Sequence, residues 1–361
     1  MDSVKDLVVF TEPTRDKSGV GAFRFTNDYS VFDWGKMPDK VPYSGASRCM
    51  MSSYFFEQLE GDHIPTHYIG LGENIDRPYT VTEATRPMDS MMIEVVQVVK
   101  PKAIVRGKKV RYDYSFFNDA RRNDEGNFVI PAEIIYRNTL PRGSSVFRRL
   151  RDEKDPLTLA EMGLEEEPYE GQRLDQPFFD VSTKFEEYDR YPGWNTMRRL
   201  SGLTMKEYRE IIGMLSAGNR HITEGVARAG LQNDDGKIEV IFNPYRQPKI
   251  GDTLGTLDEC RFTYDLNGER IDISKEIPRQ WHRYAQPEWV AQISKAKESG
   301  EKDWKALVTI QPEPMPPALV EMMSHVYGAA ANAVLQRNIF DVPTLDEVAR
   351  NYQRFRELEM R

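Results

Sequence analysis

The stretch from residue 131 to residue 145, PAEIIYRNTLPRGSS, constrains the fold more than any other part of the chain. Ile134, Ile135 and Tyr136 form the apolar part of a predicted strand, which requires a sheet with a buried face. Glu133 and Arg137 lie beside them, and the strand leads into a glycine-serine turn. An arginine at a strand end, next to free backbone N–H groups and hydroxyls, can hold a phosphate or a carboxylate. The simpler interpretation, which this stretch alone favours, is an arginine paired with an acidic neighbour beside an ordinary turn.

Composition limits the class of protein. The chain has 361 residues, 39% of them hydrophobic and 29% charged, which predicts a soluble protein with one large domain or two subdomains. Two cysteines and five scattered histidines exclude a disulfide framework and make a structural zinc site unexpected. A net charge of -8 opposes a general nucleic-acid-binding surface. Neither a signal peptide nor a membrane-spanning run is recognisable, so we expect a cytoplasmic protein with no membrane partner.

The order of predicted elements begins with two strands, residues 5–10 and 21–26, joined by a charged hairpin loop. Residues 27–47 are too rich in glycine and proline for regular structure, and an amphipathic helix over 47–59 is expected to pack on the sheet. A second hairpin is predicted to turn at Gly107, and residues 148–176 form a charged excursion. Two T-x-x-E capping boxes, at residues 204–207 and 344–347, predict helix starts, and the C-terminal part is expected to be helical.

A second charged constellation lies in DGKIEVIF, residues 235–242, and IGDTLGTLDECRF, residues 250–262. Strand alternation places Lys237 and Glu239 on one face of the first segment. Asp252, Asp258 and Arg261 follow on the next strand or its loop. If the two strands pair, carboxylates and cations converge as a magnesium-nucleotide site requires. A solvated hairpin with surface ion pairs explains the pattern equally well, and the residues alone leave both interpretations open.

The order of the motifs resembles that of the phosphoribosylaminoimidazole-succinocarboxamide synthase family, also called SAICAR synthetase, in its longer archaeal-type branch. The resemblance rests on TNDYSVFDWGKMPDKVPYSGAS, IPTHY, AEIIYRNTLPRGSS, FFDVSTK, DGKIEVIF, GDTLGTLDECRF and KEIPRQWHRYAQPEW, which follow one another in the order of the family. It covers most of the chain. Each motif alone has little specificity, but the ordered set is unusual.

The resemblance implies a fold and a reaction. The expected fold is α+β and two-lobed, with a mostly antiparallel N-terminal sheet, a second sheet with helices, and a cleft between them. The implied division is residues 1–130, 131–275 and 276–361. The implied reaction is ATP-dependent ligation of L-aspartate to carboxyaminoimidazole ribonucleotide (CAIR) through an acyl phosphate, with ATP and Mg²⁺ required. A homodimer is expected from the family.

The resemblance also implies which residues bind the ribonucleotide. Arg137 and Ser144 match the arginine and serine that hold its phosphate, and Arg261 matches the second phosphate-binding arginine. The spacing from Arg137 is one residue longer than in the family, which leaves Ser145 as a rival to Ser144. Glu133 is expected beside the imidazole part of the substrate.

The remaining implied roles concern the reacting groups and ATP. Lys184 and Asp258 match residues near the reacting carboxylate and the incoming aspartate, and are the catalytic candidates. Ser30 and Asp33 belong to the loop that closes over the substrates. The predicted ATP contacts are Lys237, Arg15 and Lys17, the last two replacing the G-K-x-K/R phosphate loop of shorter relatives. The predicted magnesium ligands are Glu239 and Asp252.

Two other functions remain open at this stage. A phosphotransferase acting on a small anionic substrate would use the same charges, and would release ADP without needing L-aspartate. A non-catalytic nucleotide-binding relative would keep the fold, although clustered buried charge is costly to retain without a ligand.

Overall fold

The first sheet is formed by the N-terminal part of the chain. The structure is a computed structural model, and it describes residues 4–106, 109–151, 156–301 and 303–360. Four antiparallel strands lie in the order β1-β2-β4-β3. Their bounds are β1 (Lys5–Thr11), β2 (Gly19–Phe25), β3 (Tyr68–Leu71) and β4 (Ser90–Val95). A separate antiparallel ribbon of β5 (Lys102–Arg106) and β6 (Lys109–Asp113) follows, and Gly107, the predicted turn residue, lies outside the described residues.

The second sheet carries the charged motifs. Its strands are β7 (Phe128–Val129), β8 (Ala132–Leu140), β9 (Gln172–Thr183), β10 (Leu231–Phe242), β11 (Pro248–Gly251), β12 (Cys260–Leu266) and β13 (Glu269–Asp272). The order is β13-β12-β10-β8-β9, and both β7 and β11 also pair with β10. All these pairings are antiparallel. The central position of β10 explains why its side chains contribute to every part of the site. The predicted α+β class is confirmed.

The described helices begin mostly where the sequence predicts. They are α1 (Ser44–Gly61), α2 (Ser115–Arg122), α3 (Ser145–Arg149), α4 (Trp194–Leu200), α5 (Met205–Arg228), α6 (Glu276–Ala285), α7 (Pro287–Glu298), α8 (Pro317–Leu335) and α9 (Leu345–Glu359). Both predicted capping boxes are formed. Thr204 and Glu207 exchange backbone and side-chain hydrogen bonds at the start of α5, and Thr344 and Glu347 do the same at α9. The charged excursion contains short helical segments and the start of β9.

Helix α1 differs from the prediction. It was expected to be amphipathic, but it is buried on nearly all sides, because it lies between the first sheet and the helices α5 and α8. Its serines permit this position, since they are small and their hydroxyls form hydrogen bonds with the elements packed around the helix. Ser47 Oγ, for example, donates to the backbone oxygen of Tyr327 on α8 at 2.8 Å.

One continuous hydrophobic core joins the first sheet, the second sheet and the C-terminal helices. Helix α8 packs on α1 and α5, and α9 packs on β12, β13 and α8. The C-terminal helices therefore contact the second sheet directly through α9 and the first sheet through α1, and the three-part division of the chain stays a prediction. None of the helices in the described ranges is long and apolar enough to cross a membrane.

Candidate active site

The register of three neighbouring strands builds a cluster of arginines and aspartates. Asp235 on β10 lies directly opposite Arg137 on β8 and Arg261 on β12. Directly opposed residues of antiparallel strands point to the same face. Asp235 Oδ2 is 3.4 Å from a terminal nitrogen of Arg137, and its Oδ1 is 3.3 Å from Nε of Arg261. The two predicted phosphate-binding arginines therefore converge on one carboxylate.

A second carboxylate fixes the other side of Arg137. Asp180 on β9 pairs with Arg137 at 3.1 Å and with Arg149 at 2.6 Å, and all three side chains are buried. These pairs are the ones that the simpler interpretation of the sequence predicts. The charges do not balance, however, because three guanidinium groups, including that of Arg261, face two carboxylates. The resulting net charge of +1, at a cluster whose Arg261 side chain is 21% exposed, suits a bound anion.

The predicted serines both reach Arg137. Ser144 Oγ lies 3.4 Å and Ser145 Oγ 3.1 Å from its terminal nitrogens. Ser144 is also the N-cap of α3 and accepts a hydrogen bond from the backbone N–H of Val146. Ser144 is buried and Ser145 is half-buried. Ser145 is thus the more exposed of the two, and Tyr191 is a second hydrogen-bond partner of its hydroxyl.

The same face of β10 continues to a second cluster. Lys237 and Glu239 follow Asp235 at alternate positions, while Ile238 and Val240 are buried in the core on the other face, as predicted. At about 3.3 Å per residue, Asp235 and Glu239 are separated by about 13 Å along the strand. Lys237 lies between the two ends, and its Nζ is 3.0 Å from Glu133 and 3.3 Å from Glu259. Glu133 therefore lies between the two clusters.

The two predicted metal-binding carboxylates lie side by side because β11 pairs with β10. Glu239 is opposite Gly251, the residue before Asp252. Glu239 Oε1 is paired with Lys184 at 2.5 Å, and Asp252 is paired with Lys5 at 3.0 Å. Asp252 has a left-handed backbone, with φ of 62°, and its carbonyl oxygen contacts Nε2 of the buried His67 at 3.1 Å.

The electrostatics of these carboxylates differ. Burial, reinforced by the charge of Asp252, raises the pKa of Glu239 to about 7. Burial also disfavours the ionised form of Asp252, but Lys5, Lys184 and Lys237 outweigh it and hold the pKa of Asp252 below its ordinary value. The site thus keeps one carboxylate ionised and makes the other sensitive to the charges around it.

The donor set suits magnesium bound together with a nucleotide. Within the described ranges, no three His, Cys, Asp or Glu side chains are close enough to hold a metal ion. Mg²⁺ in nucleotide sites uses one or two carboxylates, substrate phosphates and water, and it rarely occupies an all-protein cage. Glu239 and Asp252 supply oxygen ligands of that kind, so the residues present fit this ion.

A cleft of about 340 Å³ opens over this second cluster. Its lining combines strand ends, the start of α6 and the loop between β2 and α1, which is the predicted substrate loop. The lining residues are Val4, Ser30, Phe32, Asp33, Lys184, Lys237, Glu239, Asp252, Asp258, Glu259, Lys275 and Arg279. The structure therefore brings Ser30, Asp33 and Asp258 to the predicted metal residues. Asp33 is held from α7 by an ion pair with Lys297.

Asp258 is fixed by two elements distant in sequence. The hydroxyl of Tyr327 on α8 donates to Oδ1 at 2.5 Å, and Arg48 on α1 lies 3.4 Å from Oδ2. Burial opposes ionisation, but Arg48 and Lys275 lower the pKa of Asp258 below its ordinary value. Arg48 also donates to the backbone oxygens of Thr26 and Asp28, so one buried guanidinium joins the substrate loop to Asp258.

Arg15 and Lys17 are not brought to this cleft. The side chain of Asn127 donates to the backbone oxygens of Thr14 and Lys17, and Arg15 pairs with Glu125. These contacts direct the β1–β2 turn towards residues 125–127. Geometry therefore gives no support to the prediction that Arg15 and Lys17 contact the triphosphate.

Sequence reasoning missed several cations that do reach the cleft. They are Lys5 at the start of β1, Arg48 on α1, Lys275 and Arg279 at the start of α6, and Lys297 on α7. The alternation of β10 offers no signal for them, because they come from other elements. The segment KEIPRQWHRY, already notable as a motif, was the one available signal for Lys275 and Arg279.

Comparison with known proteins identifies the family to which the chain is similar. The family model of SAICAR synthetase matches residues 10–112 and 121–296. A protein of Archaeoglobus fulgidus, provisionally named phosphoribosylaminoimidazole-succinocarboxamide synthase, is 40% identical over 96% of this chain and 97% of its own length.

Two solved structures share the fold. A SAICAR synthase of Saccharomyces cerevisiae in complex with SAICAR has a TM-score of 0.59 at 16% identity, and the match covers 93% of each chain. A SAICAR synthetase in complex with ADP has a TM-score of 0.53 at 17% identity, covering 87% of this chain and 99% of that one. At these identities the likeness concerns the fold alone.

The family match and the curated relative assign this two-sheet α+β fold, with its charged cleft beside β10, to a ligase of nucleotide metabolism. The chain belongs to the SAICAR synthetase family. The family, the enzyme class and the general role in purine biosynthesis that the sequence predicted are confirmed.

Proposed function

We propose that this protein joins L-aspartate to CAIR with consumption of ATP, giving SAICAR, ADP and phosphate. The observation that carries the proposal is the arrangement along one face of β10. An arginine cluster at Asp235 and a lysine-carboxylate cluster at Glu239 lie about 13 Å apart on the same strand. One face therefore offers a site for a stable phosphate and a site for phosphoryl transfer. The relatives with solved SAICAR and ADP complexes support both ligand classes.

The ribonucleotide phosphate is assigned to the arginine cluster. Arg137 and Arg261 lie on either side of Asp235 on the same face of the sheet, and the hydroxyl of Ser145 faces Arg137. The imidazole then lies towards Glu133 and Lys237. That orientation brings the imidazole carboxylate to the lysines of the second cluster, where its charge is favoured.

The nucleotide is assigned to the second cluster. Glu239 and Asp252 would hold Mg²⁺, which, when bound, would shield phosphate charge and polarise the transferred group. Lys5, Lys184 and Lys237 place ammonium groups around the phosphates and the acceptor carboxylate. The acceptor oxygen forms a bond to the γ-phosphorus as the bond to ADP breaks, and the resulting acyl phosphate is the electrophile for the amine.

L-Aspartate is assigned to the mouth of the cleft. Its two carboxylates require cations, and Lys275 and Arg279 are the lining cations left after the other substrates are placed. Asp258 is held ionised by Arg48 and Tyr327, so we assign it to orienting the substrates through its charge. Ser30 and Asp33 cover this end, with Asp33 anchored by Lys297.

The experiment is a product balance. Purified protein is incubated with ATP, Mg²⁺ and CAIR, with and without L-aspartate, and ADP and SAICAR are quantified by chromatography. We expect ADP and SAICAR in equal amounts, with sustained turnover only when L-aspartate is present. Full turnover to a stable phosphorylated product without L-aspartate would instead identify a phosphotransferase.

Two further expectations, on oligomeric state and on cellular location, accompany this proposal. We propose a homodimer, which sedimentation velocity at micromolar concentration checks. We also propose a cytoplasmic location, which fractionation of the source cells checks.

A further inference from the structure

Each of the two carboxylates assigned to the metal, Asp252 and Glu239, forms an ion pair with a lysine ammonium group. Lys5 Nζ lies 3.0 Å from Oδ1 and 3.2 Å from Oδ2 of Asp252, so it covers both oxygens. Lys184 Nζ lies 2.5 Å from Oε1 of Glu239. These pairs engage three of the four carboxylate oxygens that Asp252 and Glu239 offer to a magnesium ion.

We propose that Lys5 and Lys184 hold these two carboxylates and then exchange partners when the nucleotide binds, passing to phosphate oxygens while the metal takes the carboxylates. The inference rests on the proposed function, because it takes Glu239 and Asp252 as the metal-binding residues. It adds that Lys5 and Lys184 oppose binding of the metal alone and favour binding of the metal-nucleotide complex.

Charge explains the opposition to the metal alone. The side chain of Lys5 is 5% exposed, and its ammonium lies over the ring of Phe23, 5.1 Å from the centroid. A divalent ion entering alone would separate this buried ammonium from its carboxylate and add positive charge beside it. Taking a carboxylate partner from a buried ammonium while adding a second positive charge beside it is unfavourable. Metal without phosphate should therefore bind weakly.

The metal-nucleotide complex reverses the balance. Mg-ATP carries about two net negative charges, and its phosphate oxygens are strong acceptors for ammonium groups. Two lysines released from Asp252 and Glu239 supply two positive charges. Each ammonium gains a new anionic partner as it loses the old one, so the exchange leaves no buried charge unpaired.

The choice of lysine fits this role. A lysine is a point charge on a flexible four-carbon stem, whereas arginine binds through a rigid planar fork. Lys5 and Lys184 lie at strand ends, at the start of β1 and just after β9. A short movement of the side chain can therefore change the partner without disturbing the sheets.

The test measures two affinities in one set of proteins. Mn²⁺ alone is the metal probe, with free Mn²⁺ followed by electron paramagnetic resonance. Binding of the Mg²⁺ complex of a non-hydrolysable ATP analogue is measured by calorimetry. The proteins are the parent, Lys5→Met, Lys184→Met and Glu239→Gln. The control is Lys206→Met, which removes an 85%-exposed surface lysine of α5.

We expect the lysine variants to change the two affinities in opposite directions. Lys5→Met should bind Mn²⁺ alone about fivefold more tightly than the parent, and the magnesium-nucleotide complex about tenfold more weakly. Lys184→Met should show the same signs and is decisive if Lys5→Met does not fold. Lys5→Arg, which keeps the charge, should bind Mn²⁺ no more tightly than the parent.

One result would refute the exchange of partners, and another would refute the metal assignment. If Lys5→Met and Lys184→Met weaken nucleotide binding but leave Mn²⁺ affinity unchanged, the lysines are simple phosphate contacts and the exchange is refuted. If Glu239→Gln alters neither affinity, the metal assignment in the proposed function is wrong. The first failure leaves the proposed function standing.

Discussion

The arginine end and the lysine end of the cleft lie on the same strand, yet they hold charge in different ways. Arg137 and Arg149 have side chains 4% and 2% exposed and share Asp180, so their positions are fixed by buried pairs. Lys184 is 21% exposed and pairs with Glu239, and Lys237 is 32% exposed and pairs with Glu133 and Glu259. A rigid arginine fork suits a phosphate that stays intact, whereas mobile lysines suit a phosphoryl group whose charge moves during the reaction.

The largest effect is expected at the lysine end, from Glu239→Gln. This change keeps the volume of the side chain but removes a charge from the assigned metal site. We expect kcat/KM to fall about 10³-fold, equivalent to about 4 kcal/mol of transition-state stabilisation. Steady-state kinetics with Mg-ATP varied through subsaturating concentrations measures it, and Glu210→Gln on the surface of α5 is the matched control. A loss below about tenfold would remove Glu239 from the metal site.

The arginine end predicts a loss confined to one substrate. Arg137→Ala should raise the KM for the ribonucleotide by the equivalent of about 2 to 4 kcal/mol, because a charge-assisted phosphate contact is lost. The KM for ATP should change little. Asp180 and Asp235 keep Arg149 and Arg261 as partners, so the fold should persist, as circular dichroism can verify.

The control for this variant is Arg350→Ala, which removes an exposed arginine of a surface pair with Asp346. If Arg137→Ala raised the KM for the ribonucleotide and the KM for ATP equally, the arginine end and the lysine end of the cleft would not bind separate substrates. An unchanged KM for the ribonucleotide would leave Arg137 with the purely structural role that its buried pairs allow.

How much of this arrangement the sequence could predict depends on the range of the contacts. Strand alternation was sufficient to place Lys237 and Glu239 on one face, and the motif order placed Arg137 and Arg261 in one cluster. Lys5 escaped prediction because its partner, Asp252, is 247 residues away. The resemblance to the family suggested cations of the β1–β2 turn instead, but contacts with Asn127 direct that turn elsewhere.

Helix α1 shows the same limit in the fold. Its Met and Phe residues predicted one buried stripe correctly, but its serines and Arg48 gave no sign of burial. The environment of Ser47 is set by α8, whose Tyr327 lies 280 residues later in the chain, and that of Arg48 is set by Asp258 and by the backbone of Thr26 and Asp28. Propensity and periodicity describe a helix alone, whereas full burial depends on which elements close around it.

Interchanging the two cation types tests the comparison directly. Lys184→Arg keeps the charge but replaces a mobile ammonium by a rigid fork, so we expect kcat to fall about tenfold with little change in the ribonucleotide KM. Arg261→Lys should do the reverse, raising the ribonucleotide KM about tenfold with kcat nearly kept. Full kinetics of both variants provide the measurement. If both swaps changed the same parameter, rigidity would not distinguish the two ends.

The smallest effects concern the two serines beside Arg137, and they separate structure from binding. Ser144 caps α3, so Ser144→Ala should lower the free energy of unfolding by about 1 kcal/mol, measured by urea denaturation. Ser145 is the more exposed of the two and is not the N-cap of α3, so Ser145→Ala should raise the ribonucleotide KM about fivefold, equivalent to about 1 kcal/mol, and leave stability nearly unchanged. Each variant serves as the control for the other. A raised ribonucleotide KM in Ser144→Ala with an unchanged KM in Ser145→Ala would assign the phosphate contact to Ser144 instead. The spacing from Arg137, one residue longer than in the family, would then have no effect on phosphate recognition.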